Sequence, residues 1–495
     1  MIPRLRHRFG HLFSERGFRG PVLTLLSGST AVMGLAYVAQ PILRRIYTPA
    51  AFGLMDVFVS IVGVLMTCAS LRYEDALMQP EEEDDAASLW WLALVLMTGF
   101  TLLTALAALW NEPLAALLGE PALAPWLLLV APALFAVRLS KLAELWLTRA
   151  LRFRTITAAQ MAQTITMLLV RIGAGLPPLR AGTGGLVGGY LAGYLIAGGV
   201  LLRQVWRTSR PVLSTAFRPA RMVALARRFR RYPLFSMPAT LLSAVLMRLP
   251  FFLLLYYFDE TVVGLLGLAF VALATPLGLV GNAVAQVFFV KAAEARRDGT
   301  LGRLSAAVHQ RLVALGMFPT LALLVAGPEL FAFVFGEAWR TGGVYVQYVG
   351  PWLYLAAVAA PLTRLFDVLE RQRADLLLSL LMFLVQGGAL VAGGLSGDVL
   401  RTLLYAGVAG AAMRLIQVDV LLRAAGVPVG PAWRPYLRYG LFSLPFLLPL
   451  ALVVPLARGW LTAGTALLCG LGYAALVVHR DRLLERRPAP PTPPA

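Results

Sequence analysis

Charge is what this sequence has least of. Only 14% of its 495 residues are charged while 59% are hydrophobic, and the mean hydropathy is +0.74. A soluble globular chain carries about 25% charged residues, so a solvated surface of ordinary extent is excluded and the chain reads as an integral membrane protein. Cysteine is nearly absent: Cys68 and Cys469 lie far apart in apolar runs, which leaves no disulfide framework. The four histidines, His7, His11, His309 and His479, are dispersed. With neither HExxH nor a Cys/His cluster, no metal is expected. No GxxxxGK[ST] sequence occurs, so the chain has no P-loop for ATP and no cofactor is expected. Long hydrophilic loops are missing too, which counts against a membrane glycosyltransferase, polymerase or ligase.

What is present is a succession of apolar runs. A helix needs roughly 20 apolar residues to cross the hydrocarbon. That measure gives fourteen candidate spans, centred near residues 32, 61, 98, 136, 166, 193, 246, 273, 317, 355, 384, 410, 446 and 469. Residues 1–19 form a basic arm that reads as an interfacial amphipathic piece. The apolar run after it is too long for a cleaved signal peptide and reads as a retained first span. With both termini cytoplasmic, the 44 Lys and Arg sort as thirty-three cytoplasmic, six outside and five within spans, which orients the chain by the positive-inside rule. The formal net charge of +19 therefore follows topology, and no nucleic-acid partner is expected. The tail RRPAPPTPPA is Pro-rich and reads as extended and disordered.

Fourteen spans with a basic connector after the sixth suggest two halves. YTPAAFG (47–53) answers to FDETVVG (258–264) at an offset of 211, LAALLGE ending at Glu120 to FAFVFGE ending at Glu337 at 217, and Arg152-Phe153-Arg154 to Arg371-Gln372-Arg373 at 219. Apolar helices resemble one another by composition, so a single match carries little; the three share one order and nearly one offset. The expected organisation is an N-lobe over 20–205 (spans one to six), a basic cytoplasmic connector over 206–233, a C-lobe over 234–423 (spans seven to twelve), two appended spans over 424–480 and a tail over 481–495. Six-helix lobes of one orientation form a parallel pseudo-repeat, which is a transporter architecture.

An Arg, Lys or Asp at the centre of a span costs on the order of 2.5 to 3.5 kcal/mol on insertion scales and is a functional candidate by default. Arg248 lies deep in LLSAVLMRLPFFLLLYYF, two residues before Pro250. It reads either as lining a substrate path or as paired with Asp56 or another acid. Asp56 is the candidate proton or cation site, should transport draw on an ion gradient. Arg138, Lys141 and Glu144 share one helical face and read as a salt-bridged seam or a cavity wall; Arg171, Arg364 with Asp367, and Arg414 with Asp419 are weaker candidates. A cavity lined by Arg suits an anion, because guanidinium is always charged and meets phosphate in bidentate fashion. Arg44, Arg45, Arg72, Arg248 and Lys291 form the expected ladder for a phosphate or diphosphate. Glu74 beside Arg72 is set apart from the solvated acidic run 81–85. Tyr37, Tyr47, Tyr73, Trp339 and Trp352 could stack on sugars, or serve only as interfacial anchors.

The stretches RRIYTPAAFGLMDVF, SLRYEDALMQP, MRLPFFLLLYYFDETVVG, VAQVFFVKAAE and FGEAW together resemble the polysaccharide flippases, the Wzx-type polysaccharide transport family within the multidrug/oligosaccharidyl-lipid/polysaccharide exporter superfamily. LRYExAL is the most specific element, supported by TPxxFG and FGxxW. The resemblance implies two six-helix lobes in a V that alternate between inward and outward openings. It also implies a cargo, an undecaprenyl-diphosphate-linked oligosaccharide moved across a bacterial inner membrane for O-antigen, capsule or exopolysaccharide synthesis. Membrane lipids, a polysaccharide polymerase and a chain-length regulator are the partners it suggests. Its site positions are Arg72, Tyr73, Glu74, Arg248, Pro250, Lys291 and Glu294; Asp56 departs from the family pattern and takes no role from it. Lipid II flippases and multidrug exporters share the superfamily fold, so fold alone does not choose the cargo.

Overall fold

The computed structural model describes residues 32–456 and 458–485. The N-terminal arm, the start of the first span and the Pro-rich tail from residue 486 lie outside the described residues. Every regular element among those described is helical, as expected of an all-α polytopic membrane protein.

The chain divides into two compact units, Met1–Gly264 and Leu265–Ala495. The first contains α1 (Gln40–Ile46), α2 (Pro49–Cys68), α3 (Glu83–Ala108), α4 (Val130–Arg149), α5 (Phe153–Gly175), α6 (Thr183–Thr215), α7 (Pro219–Arg228) and α8 (Met237–Tyr257). Helix α9 (Glu260–Ala269) begins in it. The second holds α10 (Thr275–Arg297), α11 (Leu301–Phe335), α12 (Arg340–Leu362), α13 (Gln372–Gly394), α14 (Val399–Ala424), α15 (Val429–Val453) and α16 (Gly459–Glu485).

Eleven helices among the described residues are long and apolar enough to cross a membrane, or twelve if the bent pair Pro121–Leu127 and Val130–Arg149 forms one crossing. The expected count of fourteen thus exceeds what length and apolarity establish. One difference is α5, which is 23 residues long but carries Arg171, Gln160 and Gln163 along an otherwise apolar run.

Local chemistry explains the repeated motifs. Thr48 caps α2, its hydroxyl accepting from the Ala51 N–H at 3.3 Å, and Pro49 opens the helix. Asp259, 211 positions later, does the same for α9, its Oδ1 accepting from the Val262 N–H at 2.8 Å. The turns match as well. Leu151 and Glu370 both take left-handed backbone conformations, with φ of 56° and 57°. The following residues, Arg152 and Arg371, donate their N–H groups to Leu147 and Phe366 at 2.8 and 2.9 Å, as in a Schellman helix end. Gly119 and Gly336 share positive φ, 81° and 106°.

In the first unit α2 and α8 run antiparallel. Gly53 lies beside Glu260 and Gly264, Gly63 beside Arg248, and Cys68 Sγ is 3.9 Å from Met237 Sδ. A Cβ on Gly53 would sit 1.7 Å from the Glu260 carbonyl oxygen, and one on Gly264 would sit 1.9 Å from that of Pro49. The two glycines are repeat equivalents, and so are Pro49 and Glu260, so this contact has local twofold symmetry: each five-residue segment, 49–53 and 260–264, presses its glycine on the other's first carbonyl.

Residues 206–233, expected as a connecting loop, are largely helical. Helix α6 runs on to Thr215 and α7 follows after three residues. Met222 and Leu225 of α7 enter the apolar core built from α3, α4 and α6, while Arg221 meets Glu82, Asp84 and Asp85 at 2.9, 3.5 and 2.6 Å. The acidic run is largely exposed, as expected of a solvated stretch, and it also anchors a basic helix.

In the second unit, α11 packs against α12 and α15 around Tyr354 and Tyr439. His309 on α11 is fully buried beside the Tyr436 hydroxyl, at 3.2 Å.

Candidate functional site

The first unit gathers charge in its apolar interior. Asp56 stands seven residues into α2, about 10 Å along the helix, on the face that carries Gly53, Ser60 and Gly63. Ser60 turns its hydroxyl back to the Asp56 backbone carbonyl at 2.6 Å. The Asp56 Oδ2 is closed to solvent and accepts no hydrogen bond among the described residues. Three guanidiniums act on this carboxylate, those of Arg44, Arg248 and Arg171 in decreasing order. They come from α1, α8 and α5, so four helices contribute one charge each.

Each guanidinium is placed by a different device. Arg44 is 3% exposed and lies over the Phe52 ring, 3.6 Å from its centroid, a cation–π contact. Arg171 is 8% exposed and donates from Nε to the Leu186 carbonyl at 3.2 Å. Its side chain fills the gap at Gly189, where a Cβ would come within 2.5 Å of Arg171 Cγ. One turn earlier, Gly185 admits Tyr47, whose hydroxyl donates to the Arg171 carbonyl at 2.5 Å. The Gly-rich stretch of α6 thus does what small residues do in membrane helices, letting neighbours approach closely. Arg248 lies against Gly63, with Nε 3.7 Å from where a Cβ would stand. It is only half-buried and has no hydrogen-bond or ion-pair partner among the described residues. The rings of Tyr190 and Tyr194 of α6 meet at 4.8 Å with their planes tilted by 58°, within the field of Arg171, and Tyr190 also within that of Arg248. Their spacing of four in a Gly-rich helix was the signal available in the sequence; it reads as packing until Arg171 is seen beside them.

The structure thus joins Arg44, Arg171, Arg248 and Asp56 and places the other candidates elsewhere. Arg45 is exposed on α1. Arg72, with φ of 65°, pairs with Asp75 at 2.6 Å near the far end of α2. Glu74 is 2% exposed and Arg138 5% exposed; they form a buried ion pair, and the Ser70 hydroxyl donates to the same carboxylate. Burial by itself would raise the Glu74 carboxyl, but the charge of Arg138 and the hydrogen bonds from Ser70 and Arg138 hold it below its ordinary value. Lys141 and Glu144 pair at 3.2 Å and are more exposed. Of the two readings of that face, Arg138 fits the seam. Lys291 is exposed on α10 of the second unit. Arg414 donates to Gln417 at 2.7 Å while Asp419 pairs with Arg423 at 2.8 Å, and Arg364 meets Asp367 at 3.6 Å.

Most of the aromatics considered for sugar stacking are committed to the protein interior. Tyr47, Tyr73, Trp339 and Trp352 are 4%, 6%, 1% and 7% exposed. The Tyr73 hydroxyl donates to Ala226 O at 3.1 Å, and Trp352 packs edge-on against Phe270. Only Tyr37 is exposed.

A cationic cluster inside an apolar helical bundle is equipped to hold an anion, and residues 42–342, which include all four members, match the family model described as "Polysaccharide biosynthesis protein". The chain belongs to that family. It is similar to the succinoglycan biosynthesis transport protein ExoT of Rhizobium meliloti (strain 1021), with 26% identity over 487 residues and 92% of each chain covered. Among solved structures, the fold is that of the lipid II flippase MurJ in an inward closed conformation, with a TM-score of 0.66 at 13% identity, covering 93% of this chain and all of that one. An inward-facing multidrug resistance transporter of the MATE family is also similar, with a TM-score of 0.60 at 14% identity over 80% of this chain and 95% of that one.

Proposed function

We propose that this chain is a flippase that moves an undecaprenyl-diphosphate-linked oligosaccharide from the cytoplasmic to the outer leaflet of a bacterial inner membrane by alternating access, and that Arg44, Arg171 and Arg248 receive the diphosphate. The observation that carries the reading is the excess of positive charge within the membrane-spanning part of the first unit: three guanidiniums against one carboxylate. Charge at this depth is costly and is kept where it meets a ligand or an aqueous path. Arg248 is the member with its donors uncommitted, so it makes first contact, while Arg44 and Arg171 supply a fixed field behind it.

Family membership and the name of the ExoT relative support a role in exporting a polysaccharide precursor, as a transporter rather than an enzyme. The distribution of Lys and Arg supports cytoplasmic termini, with the Arg44 end of α2 on the outer side. A polymerase and a chain-length regulator would act on the product once it is outside. An exporter of small cations would require a cluster in which acids outnumber bases, the reverse of what surrounds Asp56.

Complementation tests the reading. In a strain lacking this gene, wild type restores surface polysaccharide, whereas Arg248→Gln reaches the membrane in normal amount but restores less than a tenth, roughly the loss of one charge-assisted hydrogen bond. Full restoration by Arg248→Gln would overturn it.

A further inference from the structure

The acid in the cluster has no place in a simple anion site. A carboxylate repels a diphosphate, and Asp56 is held among the very groups assigned to bind it. A structural ion pair is present in the same unit for comparison. Glu74 takes its hydrogen bonds from Arg138 and Ser70 and is consumed by them. Asp56 is different: its Oδ2 is shut off from solvent yet accepts no hydrogen bond among the described residues, Arg248 lies against Gly63 two turns along the same face of α2, and the carboxylate lies within electrostatic reach of Arg44, Arg248 and Arg171.

We infer that Asp56 is an internal counter-ion, which stands in for the substrate's charge while the site is empty and weakens the hold on the diphosphate so that it leaves. This inference rests on the diphosphate reading above. Two buried guanidiniums and a half-buried third, gathered without an anion, would repel one another in a medium of low dielectric; one carboxylate reduces the excess to two. A diphosphate esterified at both ends keeps one ionised oxygen on each phosphorus, so its charge equals that remaining excess. The match is between the ligand and the cluster with Asp56 included. Without Asp56 the excess would be three, the diphosphate would be held too tightly, and release would become the slow step. A transport site has to be strong enough to load and weak enough to discharge, and the acid supplies the second property. Arg44 and Arg171 are held by Phe52 and Leu186, whereas Arg248 is free to follow the ligand; removing Asp56 therefore alters affinity without dismantling the donors.

The test uses the full-length protein in detergent with farnesyl diphosphoglucose as the probe, a diphosphate esterified at both ends. Wild type binds it, Arg248→Gln binds it more weakly, and Asp56→Asn binds it about tenfold more tightly, as expected for removing one like charge at several ångströms. The same Asp56→Asn chain, expressed in place of wild type, exports polysaccharide more slowly. Asp56→Asn combined with Arg44→Gln returns the excess to two and brings the affinity back toward wild type, an arm that stays informative if the single variant folds poorly. If wild type binds the probe and Asp56→Asn binds it no more tightly, or the double variant fails to reverse the gain, the counter-ion role is wrong while the diphosphate site stands. If wild type does not bind the probe, the diphosphate reading and this inference fall together.

Discussion

Breaking the Glu74–Arg138 pair is the perturbation with the largest expected cost in the first unit. Both side chains are almost fully buried, at 3% and 6% side-chain exposure, and the Ser70 hydroxyl completes the carboxylate's shell. Removing one partner of such a pair leaves a desolvated charge with nothing to balance it, a loss of about 3–5 kcal/mol. At roughly 2–4 °C per kcal/mol for a body of this size, Glu74→Gln or Arg138→Gln lowers the unfolding midpoint by on the order of 10 °C. Replacing both by apolar residues, Glu74→Leu with Arg138→Met, recovers most of that loss, because no charge remains to be buried. The assay is the surviving monodisperse fraction on size-exclusion chromatography after heating in detergent. Its pH dependence follows from linkage. The native carboxyl is held below its ordinary value near 4.5, so its stabilisation is complete above that pH and is lost as the pH falls through and below it. Glu74→Gln removes this acid-sensitive part. Additive losses in the double variant, or a midpoint unchanged in the single ones, would refute the argument and return Glu74 to the pool of substrate-binding candidates.

Two further expectations concern packing and the acidic run. Gly53→Ala drives a methyl into the Glu260 carbonyl, 1.7 Å away, and costs about 3 kcal/mol or more, since a backbone carbonyl yields less than a side chain. Gly63→Ala, whose methyl meets only the Arg248 side chain at 3.7 Å, costs under about 1 kcal/mol, and thermal survival of the two variants should separate them plainly. Arg221→Glu reverses the charge that three carboxylates share; α7 then lifts from α3, read as faster proteolysis between residues 216 and 231, and high salt produces a milder form of the same effect in wild type.

Apolar runs, helix caps and turn residues are local, so the sequence alone determined the helices, the membrane class and the repeat. Thr48-Pro49 and Asp259-Glu260 start helices by the hydrogen bonds their own neighbours offer, and no tertiary contact is needed to read them. It also marked Arg171, Arg248 and Asp56 as costly charges within spans, and Arg44 as an anion-binding candidate at a helix end. What it left open was which costly residues meet. Glu74 and Arg138 are 64 positions apart, Arg221 and Asp85 136, and Tyr47 and Arg171 124; pairing over such distances is decided by how helices lean on one another. The tertiary structure took Glu74 for a buried seam, bound the acidic run to α7, and drew three arginines from α1, α5 and α8 around one aspartate on α2. A charge's cost is a property of its surroundings in the chain, while its purpose depends on the partner that packing brings to it.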